Sequence, residues 1–424
     1  MLRTLKLARF PRLLAALLGA AVAAAAVLPA AAAEPIKIGL GMALTGPLAA
    51  NGKAALLAMQ IWVEDTNAKG GLLGRPVTLI DYDDQSNPST VPGIYTKLLD
   101  VDKVDLVVGG YATNMLAPAM PVVMQHNMAF IGLLGLAVNS QFNYPKYFSM
   151  TATAGPQPKL TITKGFFEIA MAQNPKPKTV AIVAADAEFA RNASDGAREN
   201  AKAAGLDIVY DKSYPPATTD FSPIVQAIQA TNPDLVVVCS YPLDSVGMVR
   251  AVNEIGLKTK MFGGAMVGLQ TTSTKTALGP LLNGIVNYDF WLPVKAMQFP
   301  GVLDFLKKYQ AKAAAAGVDL LGYYLPPWAY ADLQVLGEAV EGTKSLDQDK
   351  LGAYMHASTF KTILGDLKFG ANGELAESRV LHIQYQHIKG NGIDQFKGTD
   401  TQVVLWPPAY KSGNVIYPYT AAKE

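Results

Sequence analysis

The chain of 424 residues holds one cysteine, Cys239, and only four histidines and four tryptophans. A single cysteine excludes an internal disulfide, and its place in the apolar run Leu235–Cys239 reads as a buried structural thiol. Charge is sparse, at 17% of residues with a net +2, and no long basic run occurs. Nucleic acid is therefore a poor partner, because neutralising phosphates needs a clustered positive face. Half of the chain is apolar, which excludes a disordered protein. After the first thirty-odd residues no apolar stretch approaches the length of a membrane span, so the remainder is expected to be soluble and monomeric.

The start of the chain is organised differently. Arg3, Lys6, Arg9 and Arg12 precede an Ala/Leu run from Leu13 to about Leu28, followed by Pro29 and Ala31-Ala32-Ala33 before Glu34. This order is that of a secretory signal, cleaved after Ala33. An uncleaved anchor is the competing reading. Weakly apolar alanine and the small residues before the acid favour removal. About 390 residues then remain, enough for two domains.

From Ile36 onward, short β-branched runs alternate with helical periodicity. Strands are expected at Ile36–Met42, Val77–Tyr82, Val104–Gly110 and Ala129–Leu134. Helices are expected at about Gly52–Ala68, Val91–Val101 and Ala117–His126, the last opened by Pro118. After a Pro/Gly-containing stretch at 153–158 the grammar restarts. Strands Thr179–Ala184, Leu206–Tyr210, Leu235–Cys239 and Lys260–Gly263 now alternate with helices Asn192–Ala204, Phe221–Ala230 and Ser245–Ile255. Such alternation means parallel sheets covered on both faces, hence two doubly wound α/β lobes with ligand-facing edges at the carboxyl ends of the strands. The last third is helical at Pro300–Ala316, Pro327–Glu341 and Gln348–Ser358. Alternation then follows at Arg379–Ile388. Helices placed there return most simply to the first lobe, and the final strands to the second. The expected division is 34–155 plus about 284–364 for one lobe and 156–283 plus about 365–424 for the other, with a multi-segment hinge.

Several short stretches carry a family likeness: Ile36-Lys37-Ile38-Gly39, Leu44-Thr45-Gly46-Pro47, Asn67 to Pro76 (NAKGGLLGRP), Tyr82-Asp83-Asp84, and Val108-Gly109-Gly110 with Ala117-Pro118-Ala119 beyond. Taken together, they resemble periplasmic solute-binding proteins of the branched-chain amino acid type, which have the type I periplasmic binding fold and deliver ligand to an ABC importer. The likeness is clear over roughly residues 36 to 265. It implies a small molecule held between two lobes, a membrane permease as partner, a periplasmic location, and neither catalysis nor a cofactor.

The residues themselves support a site at the end of the third strand. Two glycines lead into Tyr111-Ala112-Thr113-Asn114 ahead of a helix. Such a start offers hydroxyl, amide and backbone N–H donors with partial positive charge, which can hold an anion without a lysine or arginine. In the resembling family a hydroxyl at this turn binds the ligand carboxylate; Thr113 matches it, with Asn114 beside it and donors from Ala112 to Met115. The turn after the fourth strand reads Leu133-Leu134-Gly135. Phe189 and Tyr241 match aromatic residues on the second lobe, Asn51 replaces a tyrosine found in some relatives, and Trp328 is a candidate for the cleft mouth. Amino-acid-binding members carry an acid near Phe262–Met266 that pairs with the ligand ammonium. Here Ala265 stands at that position, followed by Met266. Either Asp186, Glu188 or Asp244 substitutes, or the ligand lacks an ammonium and is an apolar, even aromatic, carboxylic acid.

Enzyme motifs fare poorly. Ser358 and Lys361 match the S-x-x-K spacing of serine acyl enzymes, but no K-T-G follows. Gly39 and Gly41 lack a third glycine in dinucleotide register. His382 and His387, five apart on an expected strand, point to opposite faces, and Asp81, Asp83 and Asp84 read as a strand-end turn, not a metal loop. A freestanding sensor of the same fold is the remaining alternative to import.

Overall fold

The computed structural model describes residues 34–423; the signal segment lies outside them. The chain runs β1 (Ile36–Met42), α1 (Ala49–Asn67), β2 (Val77–Asp83), α2 (Val91–Thr96, extended by a wide turn over Lys97–Val101), β3 (Leu106–Tyr111), α3 (Thr113–Gln125), β4 (Phe130–Leu133), α4 (Asn139–Phe142), β5 (Tyr147–Met150) and α5 (Pro158–Met171). It continues with β6 (Thr179–Ala185), α6 (Glu188–Ala203), β7 (Asp207–Tyr214), α7 (Ser222–Ala230), β8 (Leu235–Ser240), α8 (Pro242–Ile255), β9 (Met261–Met266), α9 (Thr272–Leu278) and β10 (Val286–Asp289). The last part comprises α10 (Val302–Ala316), α11 (Pro326–Thr343), α12 (Gln348–Ala357), β11 (Thr359–Thr362), β12 (Gly365–Lys368), β13 (Leu381–Tyr385) and β14 (Gln402–Trp406).

Two sheets result. The first is parallel, in the order β2-β1-β3-β4-β5. The second has the order β14-β13-β10-β9-β8-β6-β7, parallel except where β13 runs against both its neighbours. Burial on both faces explains the unbroken apolar runs: every residue of β3 and of β8 is buried, Cys239 included. The two α/β lobes expected from the alternation are present. The late helices α10 and α11 pack on α1, and β13 and β14 complete the second sheet. Among the described residues, no helix is long and apolar enough to cross a membrane.

Some expectations need correction. Helix α3 begins at Thr113, four residues early, and Pro118 and Pro121 lie inside it. Helix α5 was not anticipated, nor were strands β5 and β10, whose four residues leave almost no periodic signal. In the alternating stretch at 379–388, β13 is buried throughout, polar His382 and Gln384 included, because it lies between β10 and β14. The crossing points also move. β10 hydrogen-bonds to β9 and β13, so the second lobe extends past 284 to Asp289. The proposed cut at 364/365 would split the hairpin β11–β12.

The chain crosses between lobes after β5, after β10 and before β13. The first and third crossings run side by side: Ala154 bridges Leu375, Gly155 N–H donates to Leu375 O (2.8 Å), and Arg379 N–H donates to Ala152 O (2.7 Å). Glu374 lies at this junction, fully buried, facing the Ser149 hydroxyl, with no well-formed hydrogen bond to either carboxyl oxygen. Desolvation pushes its pKa from 4.5 up to about 8.

An acid whose folded pKa is raised stabilises the fold fully below its unfolded value. That contribution falls as pH rises from about 4.5 to about 8, by up to about 1.4 kcal/mol per pH unit. Buried Asp289, pushed up to about 7, acts with the same sign. Glu374→Gln is therefore expected to flatten the pH dependence of stability by about 1–3 kcal/mol between pH 5 and 8, measured by urea unfolding at several pH values. An unchanged slope would contradict this.

Candidate functional site

The carboxyl ends of β1, β3 and β4 face those of β6, β8 and β9 across a nearly closed pocket with about 20 Å³ of free cavity volume. It is lined by Leu48, Tyr111, Ala112, Thr113, Leu134, Leu136, Thr151, Thr153, Ile162, Phe189, Tyr241, Val267, Tyr288, Phe290 and Tyr324. Six of these are aromatic and three are threonines. None carries a charge.

The polar end is built by the turn from β3 into α3. Gly110 passes so close to β1 that a Cβ would stand 1.9 Å from the Gly41 carbonyl oxygen. Only glycine permits that approach. Ala112 then takes φ +91°, ψ 145°, a region that costs a non-glycine residue about 1–3 kcal/mol. This turn starts the helix abruptly: the Ala112 carbonyl accepts from Met115 and Leu116 N–H, while the Thr113 and Asn114 N–H groups have no acceptor within the described protein. Thr113 Oγ1 accepts from Leu136 N–H (3.0 Å), leaving its proton available. Thr153 Oγ1 is fully buried, lines the pocket and has no partner. Thr151 lies between, sharing bonds with Ser149 and the Gly135 carbonyl. Two free backbone N–H groups on a helix terminus thus lie near two hydroxyls with protons to donate, an arrangement suited to an anion.

The second lobe closes over this end. Tyr241 Oη donates to Asn114 Oδ1 (2.7 Å) and accepts from Phe189 N–H (3.1 Å), and the Phe189 and Tyr241 rings meet edge-on at 6.0 Å. Asn192 Nδ2 donates to Leu136 O (3.0 Å), and Gln141 Nε2 donates to Glu188 (3.2 Å). The lobes are therefore in contact. Burial pushes the Tyr111 hydroxyl up to about 12 and Tyr241 higher still, so both remain donors at neutral pH.

Of the residues singled out in the sequence, Ala112, Thr113, Leu134, Phe189 and Tyr241 meet at this pocket. Asn114 is not among the lining residues: its side chain is held by Tyr241 and borders a neighbouring depression with Pro47 and Leu243. Leu133 lies in the core and Gly135 packs against Leu116 and Val138. Asn51 sits behind the wall, its Nδ2 donating to Tyr111 Oη (2.8 Å). Ala265 and Met266 are also behind it, with the Met266 backbone clamped by the Asn287 amide; Val267 is the lining residue there. Trp328 is not at the mouth: it is fully buried and its Nε1 donates to Phe290 O (3.4 Å).

None of the candidate acids lines the pocket. Asp186 pairs with Arg191, Glu188 accepts from Gln141, and Asp244 accepts from Tyr214 and the Tyr241 N–H at the start of α8. Asp289 lies between Tyr288 and Phe290, yet only its two neighbours line the pocket. Reasoning on the sequence missed Thr151, Thr153, Tyr288, Phe290 and Tyr324. The spacing of two in Thr151/Thr153 and Tyr288/Phe290 was the available signal, hidden because β5 and β10 were not recognised.

The chain matches the periplasmic binding protein family over residues 35–389, well past the range of the short motifs. It belongs to that family. Among its relatives is the Leu/Ile/Val-binding protein homolog 8 of Brucella suis, 25% identical over 389 residues, covering 89% of this chain and 94% of the relative. Two solved structures share the fold. One is the branched-chain amino acid transporter substrate binding protein of Streptococcus pneumoniae in complex with isoleucine (TM-score 0.70, 19% identity, 91% of this chain and 100% of that one). The other is an ABC transporter solute binding protein of R. palustris in complex with 4-hydroxybenzoate (TM-score 0.70, 20% identity, 84% of this chain and 94% of that one). In this periplasmic binding protein, Tyr241 ties the lobes together. Tyr241→Phe removes one cross-lobe bond, so it is expected to lower stability by about 1 kcal/mol and to enlarge the radius of gyration of the ligand-free protein in solution scattering. Identical scattering curves would show that the bond does not hold the cleft shut.

Proposed function

We propose that this protein is the extracytoplasmic binding component of an ABC importer and carries a small hydrophobic or aromatic carboxylic acid. The observation that carries the ligand class is the uncharged wall: donors for an anion collect at Thr113, Thr153 and the start of α3, and no carboxylate lines the pocket. An ammonium enclosed there would lose its hydration without an anionic partner, at a cost of several kcal/mol by order of magnitude. A carboxylate would exchange water for preoriented N–H and O–H donors. The aromatic lining supplies flat apolar surface for a ring.

The relatives' names favour a second reading, binding of leucine, isoleucine or valine, in which hydroxyls would have to replace the acid at the ammonium. The solute binding protein complexed with 4-hydroxybenzoate fits the first reading. Delivery to a membrane permease and cleavage of the signal segment belong to the same proposal. The two crossings flanking Glu374, and the third after β10, serve as the hinge on which ligand-dependent closure turns.

Titration calorimetry with leucine, phenylalanine, benzoate and phenylacetate separates the readings. Binding of the aromatic acids with no response to leucine is expected; tight leucine binding with no response to the acids would overturn the ligand class. Thr113→Val is expected to weaken binding by about 1–3 kcal/mol, and an unchanged Kd would move the carboxylate away from α3.

A further inference from the structure

A second polar cluster occupies the pocket, away from the threonines. Asn51 Nδ2 donates to Tyr111 Oη (2.8 Å), the Tyr324 hydroxyl lies beside it, and Tyr324 and Tyr288 share a bond (3.0 Å). The two clusters have separate partners around the tip of β3. Asn51, on α1, holds the Tyr111 hydroxyl, with the Tyr324 hydroxyl beside it. Thr113 bonds to Leu136 beyond β4, and Thr153 follows β5. A ligand with its carboxylate at the threonines therefore presents its other end to the tyrosines.

The proton count in this cluster is informative. Asn51 supplies one donor to Tyr111, and the three hydroxyls add three protons of their own. The two bonds present, from Asn51 to Tyr111 and between Tyr288 and Tyr324, use only one of the three hydroxyl protons, so even a further link from Tyr111 to Tyr324 leaves at least one O–H without an acceptor among the members. A buried donor left unmade is costly, and all three tyrosines line the pocket. The rings are not splayed as a cage for a cation. Phe290 and Tyr324 stack on each other at 5.4 Å with 28° between planes, which covers the faces a cation would need.

We infer that the tyrosine cluster reads a neutral oxygen on the ligand at the end remote from the carboxylate, which makes the cargo a ring acid with a hydroxyl, ether or carbonyl opposite its acid group. This deepens the proposed function and rests on it. The ligand oxygen accepts the spare tyrosine proton, and a ligand hydroxyl can also donate back into the chain. Benzoate would leave that proton stranded.

The test is titration of the mature chain with benzoate, 4-methylbenzoate, 4-hydroxybenzoate and 4-(trimethylammonio)benzoate. The hydroxy acid is expected to bind about tenfold or more tighter than the methyl acid, which has similar size and no oxygen, as one hydrogen bond of ordinary strength dictates. In Tyr288→Phe and Tyr324→Phe that ratio should fall to about threefold or less. Equal binding of the methyl and hydroxy acids by the wild type would overturn the inference and leave the aromatic-acid reading standing. So would a preference that persists in both variants, or tightest binding of the trimethylammonio acid. No binding of any of the four, with leucine bound, would end both.

Discussion

The cleft depends on one backbone turn. Between the last residue of β3 and the first of α3 only Ala112 intervenes, held at φ +91°. A gradual turn would let the first N–H groups of the helix find carbonyls in the loop before it. Here Thr113 and Asn114 have none, so their donors and the helix dipole are directed at the gap between the lobes. The turn is kept in place from below by Gly110 against β1 and from the side by the bond between Thr113 and Leu136. The rest of the site is arranged around this fixed terminus.

The charges of the protein are kept off that surface. Asp289, Asp332, Glu374 and Lys275 are buried, yet none lines the pocket. Lys275 Nζ is engaged by Gln402 (2.6 Å), and Asp289 caps the N–H of Phe290 (2.8 Å). Formal charge therefore sits behind the wall, where desolvation drives Asp289 and Glu374 toward the neutral form at moderate pH. A neutral wall discriminates by the cost it imposes: it penalises any guest group that needs a counterion and rewards groups that exchange hydrogen bonds.

Closure and chemistry share residues. Tyr241 both contributes to the lining and bonds across to Asn114, and Asn192 reaches over to Leu136, whose N–H steadies Thr113. A guest that perturbs the helix start is thereby felt by the bonds holding the lobes together, which gives a closed state a differential contact to respond to.

Much of this was legible in the residues alone. The alternation of strand and helix gave two parallel-sheet lobes because side-chain periodicity is a local property, and Thr113 was found because a hydroxyl after a glycine-ended strand is a local signal for a helix start. Phe189 and Tyr241 were reached through the resemblance. Asn51, Ala265 and Met266 were aligned to contact positions but lie one layer behind the wall, a difference in depth that sequence does not encode. Trp328 seemed placed for the mouth and is core. The tyrosine cluster joins residues 111, 288 and 324, brought together only by the chain crossing between lobes and returning. By itself the sequence determined most of the alternating elements and the absence of an acid near Ala265, since both follow from neighbours along the chain. Only the tertiary structure decided which hydroxyls share a pocket, because hydrogen-bond partners distant in sequence are chosen by packing.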